Sequence, residues 1–180
     1  MMRGIPVPAL HALALGCLLT ACGHPAGPDE LAEVERLGRE LDSMTAKLNA
    51  MDTVALKHMG ALFEAERPGI ELRFRDTLQP QEARLLGNYH RAMAERLPQL
   101  MAARTSELDR LEQAARRLHD LRHDMEQGTM NGNDRKAALA MERQWAAVLK
   151  SDLDSLAART KHLIDARQAY RAALDSLLHQ

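Results

Sequence analysis

Leu118 to Asp134 reads LHDLRHDMEQGTMNGND, and the fold turns on this stretch. Leu118, Leu121 and Met125 recur three and four residues apart, the spacing of one helix face. The run Gly128-Thr129-Met130-Asn131-Gly132 then interrupts any regular element. Gly128 suits the left-handed position that closes a helix, and Asn133 suits the cap of the next one. A helix is therefore expected on each side of a short turn.

Going upstream from the turn, Leu86, Tyr89, Met93, Leu97, Leu100, Leu108, Leu111, Ala115, Leu118, Leu121 and Met125 keep a helical spacing that drifts toward an eleven-residue repeat, which predicts weak supercoiling. Pro80 belongs in the first turn of this helix. Pro98 lies inside the pattern, frees the carbonyl of Ala94 and predicts a kink. Downstream, Ala138, Met141, Trp145, Leu149, Leu153, Leu156, Leu163, Tyr170, Leu174 and Leu177 share one face of a second long helix. The segments 80–127 and 134–178 contain 48 and 45 residues. At the helical rise each is roughly 70 Å long, and matched arms on a short turn form an antiparallel hairpin.

A third helix is expected over 29–66. Leu31, Val34, Leu37, Leu41, Met44, Leu48, Met51, Ala55, Met59 and Leu62 alternate steps of three and four, the coiled-coil period. Asp29 and Glu30 suit its first turn, where carboxylates meet the positive end of the helix dipole. Asn49 to Thr53 is a place for an interruption, with Asp52 as a local cap. Pro68-Gly69 is expected to end the helix, leaving Ile70 to Phe74 as an extended connector or a distorted helical turn. The fold class that follows is all-α: an elongated antiparallel bundle, or coiled-coil hairpin, of three long helices, with the first covering the apolar stripe of the other two.

Composition agrees. The 180 residues are 46% hydrophobic but only 3% aromatic, which favours helix over sheet. Twenty-four basic residues against 25 acidic ones lack the cationic surplus of a nucleic-acid binder. Residues 29–66 carry nine acids and four bases, whereas 67–123 carry eleven bases and eight acids, so the first two helices are of opposite sign. Two Cys, both within the first 22 residues, cannot form a disulfide scaffold.

Met1 to Cys22, MMRGIPVPALHALALGCLLTAC, has an early cation at Arg3, a long apolar run and no acid, the pattern of a secretory signal peptide over residues 1–21. Its apolar stretch Ala9 to Ala21 is too short to span a bilayer. Leu19-Thr20-Ala21-Cys22 resembles the lipobox of bacterial lipoproteins, in which a diacylglyceryl group is attached to the Cys thiol before cleavage on its N-terminal side. Cys17 lacks a large aliphatic residue three places upstream, so Cys22 is the expected lipid-attachment site. The resemblance covers residues 1 to 22 only. It implies a membrane partner through lipid on Cys22, palmitate among the acyl chains, and a cell-envelope address, periplasmic or surface-facing. Gly23, in place of an Asp, favours the outer over the inner membrane. Residues 22–28 then form a lipid-anchored linker, because GHPAGP cannot be helical, and 29–180 form the helical bundle domain.

Chemistry-bearing motifs are few. His119, His123 and Glu126 share one flank of the second helix, and two imidazoles four apart suit zinc, nickel or copper. The alternative is a pair of exposed histidines on a solvated flank. Most of Met44, Met51, Met59, Met93, Met101, Met125 and Met141 occupy stripe positions, where a thioether fills core gaps. Trp145 reads as a core anchor, and His58 as a core or boundary residue on the apolar seam. Ser43, Ser106, Ser151, Ser155 and Ser176 have no His-acid pair on their face. No nucleophile elbow, phosphate loop or paired-Cys motif occurs. The expected function is a non-enzymatic, lipid-anchored helical scaffold or protein-binding module that uses helical faces for a protein partner or self-association. No cofactor, nucleic acid or small-molecule substrate is implied. The alternatives are a periplasmic metal-binding or metal-sensing module using His119 and His123, and an envelope chaperone with long arms.

Overall fold

The structure, a computed structural model, describes residues 25–75 and 78–178. The expected lipid-attachment residue Cys22 and the signal peptide lie outside the described residues. The described chain is all-α: α1 (Pro28–Asn49), α2 (Thr53–Arg73), α3 (Pro80–Arg91), a π-helical turn (Ala92–Arg96), α4 (Leu97–Gln127) and α5 (Gly132–Leu178). The order makes three arms, namely α1 with α2, α3 with α4, and α5 alone. Helix α1 packs on both α4 and α5, while α2 packs on α3, the π turn and α5. This is the expected bundle, with the first arm covering the hairpin of the other two.

The helix ends follow local chemistry. Pro28 opens α1, and the Glu30 carboxylate reaches back to accept from Gly27 N at 3.3 Å. Ala50 to Asp52 interrupt the first arm as expected. Asp52 Oδ1 accepts from Ala55 N at 2.8 Å and starts α2. Arg104 of α4 donates through Nε to the Leu48 carbonyl at 3.3 Å, satisfying one of the orphan carbonyls at the end of α1. Gly128, at φ 66°, ends α4: its own N donates to Met125 O at 3.4 Å, and Thr129 N donates to Asp124 O at 3.1 Å. Those two bonds are the Schellman pattern. The cap of α5 is Asn131 and not Asn133. Asn131 Oδ1 accepts from Asn133 N and Asp134 N, both at 3.0 Å, because the helix begins two residues earlier than its apolar pattern.

Two prolines behave differently from each other. Pro68 does not end its helix, and Ile70 to Arg73 are helical rather than extended. Pro68 and Glu64, whose carbonyl loses its partner, both lie on the exposed side. Continuing the helix buries Ile70 completely, at 0% exposure. Solvation of one carbonyl and burial of an isoleucine outweigh the missing bond. Pro98 does deform its arm. Leu97 N donates to Ala92 O, five residues back, so an extra residue enters the turn around Ala94 where the proline ring would otherwise clash.

The core is a single, mostly aliphatic seam running through all three arms. Leu37, Leu48, Leu56, Ile70, Leu86, Met125 and Leu156 are among its most buried members. Between Leu139 and Leu163 the buried set on α5 is Leu139, Ala146, Leu149, Leu153, Leu156, Thr160 and Leu163, a regular alternation of threes and fours around a seven-residue step. That phase corrects the sequence reading of the first turns of α5. Trp145 and Met141 are not core residues but stand 47% and 56% exposed, and Tyr170 is also exposed. Size favours Trp145, but the phase of the seam selects Ala146, one residue and about 100° further round the helix. His58 likewise faces solvent beside the buried Leu56 and Met59.

Candidate functional site

Four regions of the bundle carry chemistry. The first is the hairpin turn. The segment before α1 docks on it: Ala26 N donates to the Met125 carbonyl at 3.0 Å, just before the Gly128 bend. Glu30 receives Arg135 Nε of α5 at 3.0 Å, while Arg135 Nη1 donates to Met130 O at 2.9 Å. Arg135 is buried. A buried guanidinium is tolerated only with its donors satisfied, so this clamp fixes the start of α1, the turn and the start of α5 to one another.

The second region is the flank between α4 and α5. Arg117 donates to Glu142 at 3.1 Å and lies 4.6 Å from the centre of the Trp145 ring. Glu142 occupies a seam position of α5, one turn before Ala146. The Arg117 stem and guanidinium cover part of the indole. Met141, Trp145 and Val148 form an exposed apolar stripe beside this pair. Further along, Arg110 of α4 bridges Glu107 and Asp152 of α5, both at 2.7 Å.

The third region lies where α2, α3 and α5 meet. Tyr89, 1% exposed, donates its hydroxyl proton to Glu66 Oε2. Arg167 Nη2 stands 3.7 Å from Glu66 Oε1, and Arg167 Nε is buried without a hydrogen-bond partner among the described residues. Burial, followed by the adjacent Glu66 carboxylate, pushes the Tyr89 hydroxyl well above its ordinary range. The phenol thus stays protonated and ties α3 to α2, instead of acting as a base. Phe63 packs edge-on against both Tyr89 and His90, at 5.9 and 5.6 Å between ring centres, and Phe74 meets His90 at 6.1 Å.

The fourth region comprises two surface grooves. Between α1 and α5 a groove of about 550 Å³ is lined by Arg36, Glu40, Arg143, Lys150 and Asp154. At its edge Glu33 accepts from Arg36 first and Arg143 second, and those charged donors hold its carboxyl at about 2. Between α1 and α4 a smaller groove, about 380 Å³, includes Gly38, Arg39, Leu118 and His119.

The histidine pair is placed as its spacing implies, on the exposed flank of α4. Glu126, however, accepts from Arg122 Nε at 2.7 Å. Among the described residues no three His, Cys, Asp or Glu side chains come together to hold one ion. Likewise, no helix among them is long and apolar enough to cross a membrane. The Glu66–Tyr89–Arg167 cluster escaped the sequence reading, although it left a signal. Glu66 and Arg167 fall three and four residues beyond the seam residues Phe63 and Leu163, and a charge in phase with a core seam implies a buried partner. Set against protein-family models, curated proteins and solved structures, the chain matches none.

Proposed function

We propose that this chain is a bacterial-type lipoprotein of the cell envelope, held to the membrane by acyl chains on Cys22, whose helical bundle acts as a non-enzymatic scaffold or protein-binding module. The reading rests on one observation, the run Leu19-Thr20-Ala21-Cys22 at the end of an apolar leader and six residues before Pro28 opens α1. Two or more acyl chains give stable anchoring at about 0.8 kcal/mol per buried methylene. Gly23 after the Cys favours the outer membrane. The exposed Met141, Trp145 and Val148 stripe, with Arg117 beside it, supports a protein-binding role, since aromatic, Met and Arg side chains are enriched at interface cores.

Metabolic labelling with palmitate in a bacterium that processes lipoproteins tests the anchor. The wild-type chain is expected to take up label and sediment with membranes. Cys22→Ser is expected to lose both properties, and label retained by that variant would refute the assignment. For the binding role, a photo-crosslinking side chain at Val148 is expected to capture protein that the same group at exposed Glu112 does not.

A further inference from the structure

The clamp at the hairpin turn decides which end of the bundle a tether from Cys22 reaches. Ala26 is bonded to Met125, one turn from the Gly128 bend, and Glu30 is bonded to Arg135 at the start of α5. Ala26 is four residues on from Cys22, a reach of at most about 14 Å when fully extended. Helix α5 leaves this end and runs 47 residues, about 70 Å, to the other. With the clamp holding, a tether of that reach attaches the bundle by this end, tens of ångströms from the α2–α3 connection and the last turns of α5.

The geometry points to a fixed polarity: the turn Gly128–Asn133 is the surface that meets the lipid headgroup layer, and the far end, with Leu72 and Phe74 exposed, projects away from the bilayer. The inference rests on the lipid-anchor reading and adds to it the surface that contacts the membrane. The partner is a bilayer met through the acyl chains, not through charge. Residues 25–30 and 122–136 contain five acids (Asp29, Glu30, Asp124, Glu126, Asp134) against three bases (Arg122, Arg135, Lys136). An end with that balance gains nothing from anionic headgroups, so the polarity holds on zwitterionic lipid alike.

The test uses the full chain, processed in a lipoprotein-making bacterium and reconstituted into vesicles of phosphatidylcholine, with and without phosphatidylglycerol. With Cys22 acylated, an introduced Cys is the free thiol for a fluorescent donor. Asn133→Cys marks the turn, and Ala172→Cys marks the far part of α5, forty residues from Gly132; both positions are exposed. Acceptor-labelled lipid is expected to quench the Asn133→Cys donor several-fold more than the Ala172→Cys donor in both lipid mixtures. Flotation with the vesicles but equal or reversed quenching would overturn the polarity and leave the anchor standing. Stronger quenching at Asn133→Cys confined to vesicles with phosphatidylglycerol would overturn the charge-independent contact. Failure to float, with Cys22 unacylated, would overturn the anchor and the polarity with it.

Discussion

Around the Gly128 turn, α1, the second half of α4 and the first half of α5 meet through Val34, Leu37, Leu118, Leu121, Leu139 and Leu149, all buried and all aliphatic. Around the α2–α3 connection the same three-arm section contains Tyr89, Glu66 and Arg167 inside, a π turn beside Pro98, and edge-on contacts among Phe63, Tyr89, His90 and Phe74. In the near half charges stay at the surface, as with Arg36–Glu33 and Arg122–Glu126, except at the clamp on Arg135 and at Glu142, which the flanking Arg117 covers. In the far half a carboxylate and a guanidinium lie in phase with the seam. Aliphatic packing is non-directional and roughly proportional to buried area, whereas a part-buried charge cluster stands or falls with each member. The near half should therefore lose stability in proportion to the volume removed, and the far half according to which partner is removed.

The largest effect is expected from Leu149→Ala in the near half. Leu149 is 2% exposed, and a buried Leu→Ala change costs about 2–5 kcal/mol through lost transfer energy and the cavity left behind. Urea unfolding followed by Trp145 fluorescence and by helical circular dichroism should shift to lower midpoint with both signals together, because α5 runs unbroken through both halves. Separate transitions would break the comparison into two independent units. Glu66→Gln in the far half comes next, at about 1–3 kcal/mol, since it strips the charge that faces Arg167 while Tyr89 keeps an acceptor. Replacing both charges, as in Glu66→Gln with Arg167→Met, should recover part of that loss, because a buried charge without its counterion costs more than an apolar pair. Asn131→Ala should follow with about 1 kcal/mol, the usual cost of losing a helix cap. Asn133→Ala should stay within about 0.5 kcal/mol, as an exposed change away from any cap does. Equal losses at the two asparagines would return the cap to Asn133.

These positions also show what the sequence makes legible. The arms, the break at Asp52 and the bend at Gly128 are encoded locally, in a three-four repeat and in residues whose backbone preferences act within a turn. The phase of α5 is not local. Trp145 and Ala146 are both apolar, and only the neighbouring arms decide which of them faces inward. Pro68 shows the same limit, for its cost is set by whether Glu64 faces water, a property of the packed bundle. Glu66, Tyr89 and Arg167 come from three arms, 23 residues apart in one case and 78 in the other, so their meeting is a tertiary fact that no spacing rule contains. The histidine pair was visible in the spacing of α4, but not the engagement of Glu126 by Arg122.

The smallest effects separate the halves by pH. In the near half the Glu33 carboxyl is lowered from 4.5 to about 2 by hydrogen bonds from Arg36 and then Arg143. A carboxyl with a depressed folded value contributes stability that is complete above its unfolded value and is lost as pH falls through its folded one. The Glu33 contribution should therefore fade from about pH 4.5 down to about 2. Its size is roughly tenths of a kcal/mol, because surface pairs are screened by water and salt. Glu33→Gln should flatten that acid limb, and added salt should flatten it in the wild type. In the far half the sign is opposite. Tyr89 is raised above its ordinary 10.0 by burial and by Glu66, so its contribution is intact below pH 10 and is lost as pH rises beyond it. Tyr89→Phe should remove the alkaline loss, and salt should leave it nearly unchanged, since a phenol at 1% exposure is beyond the reach of counterions. An acid limb that survives Glu33→Gln, or an alkaline limb that salt abolishes, would mean that the charges governing each half are not the ones identified.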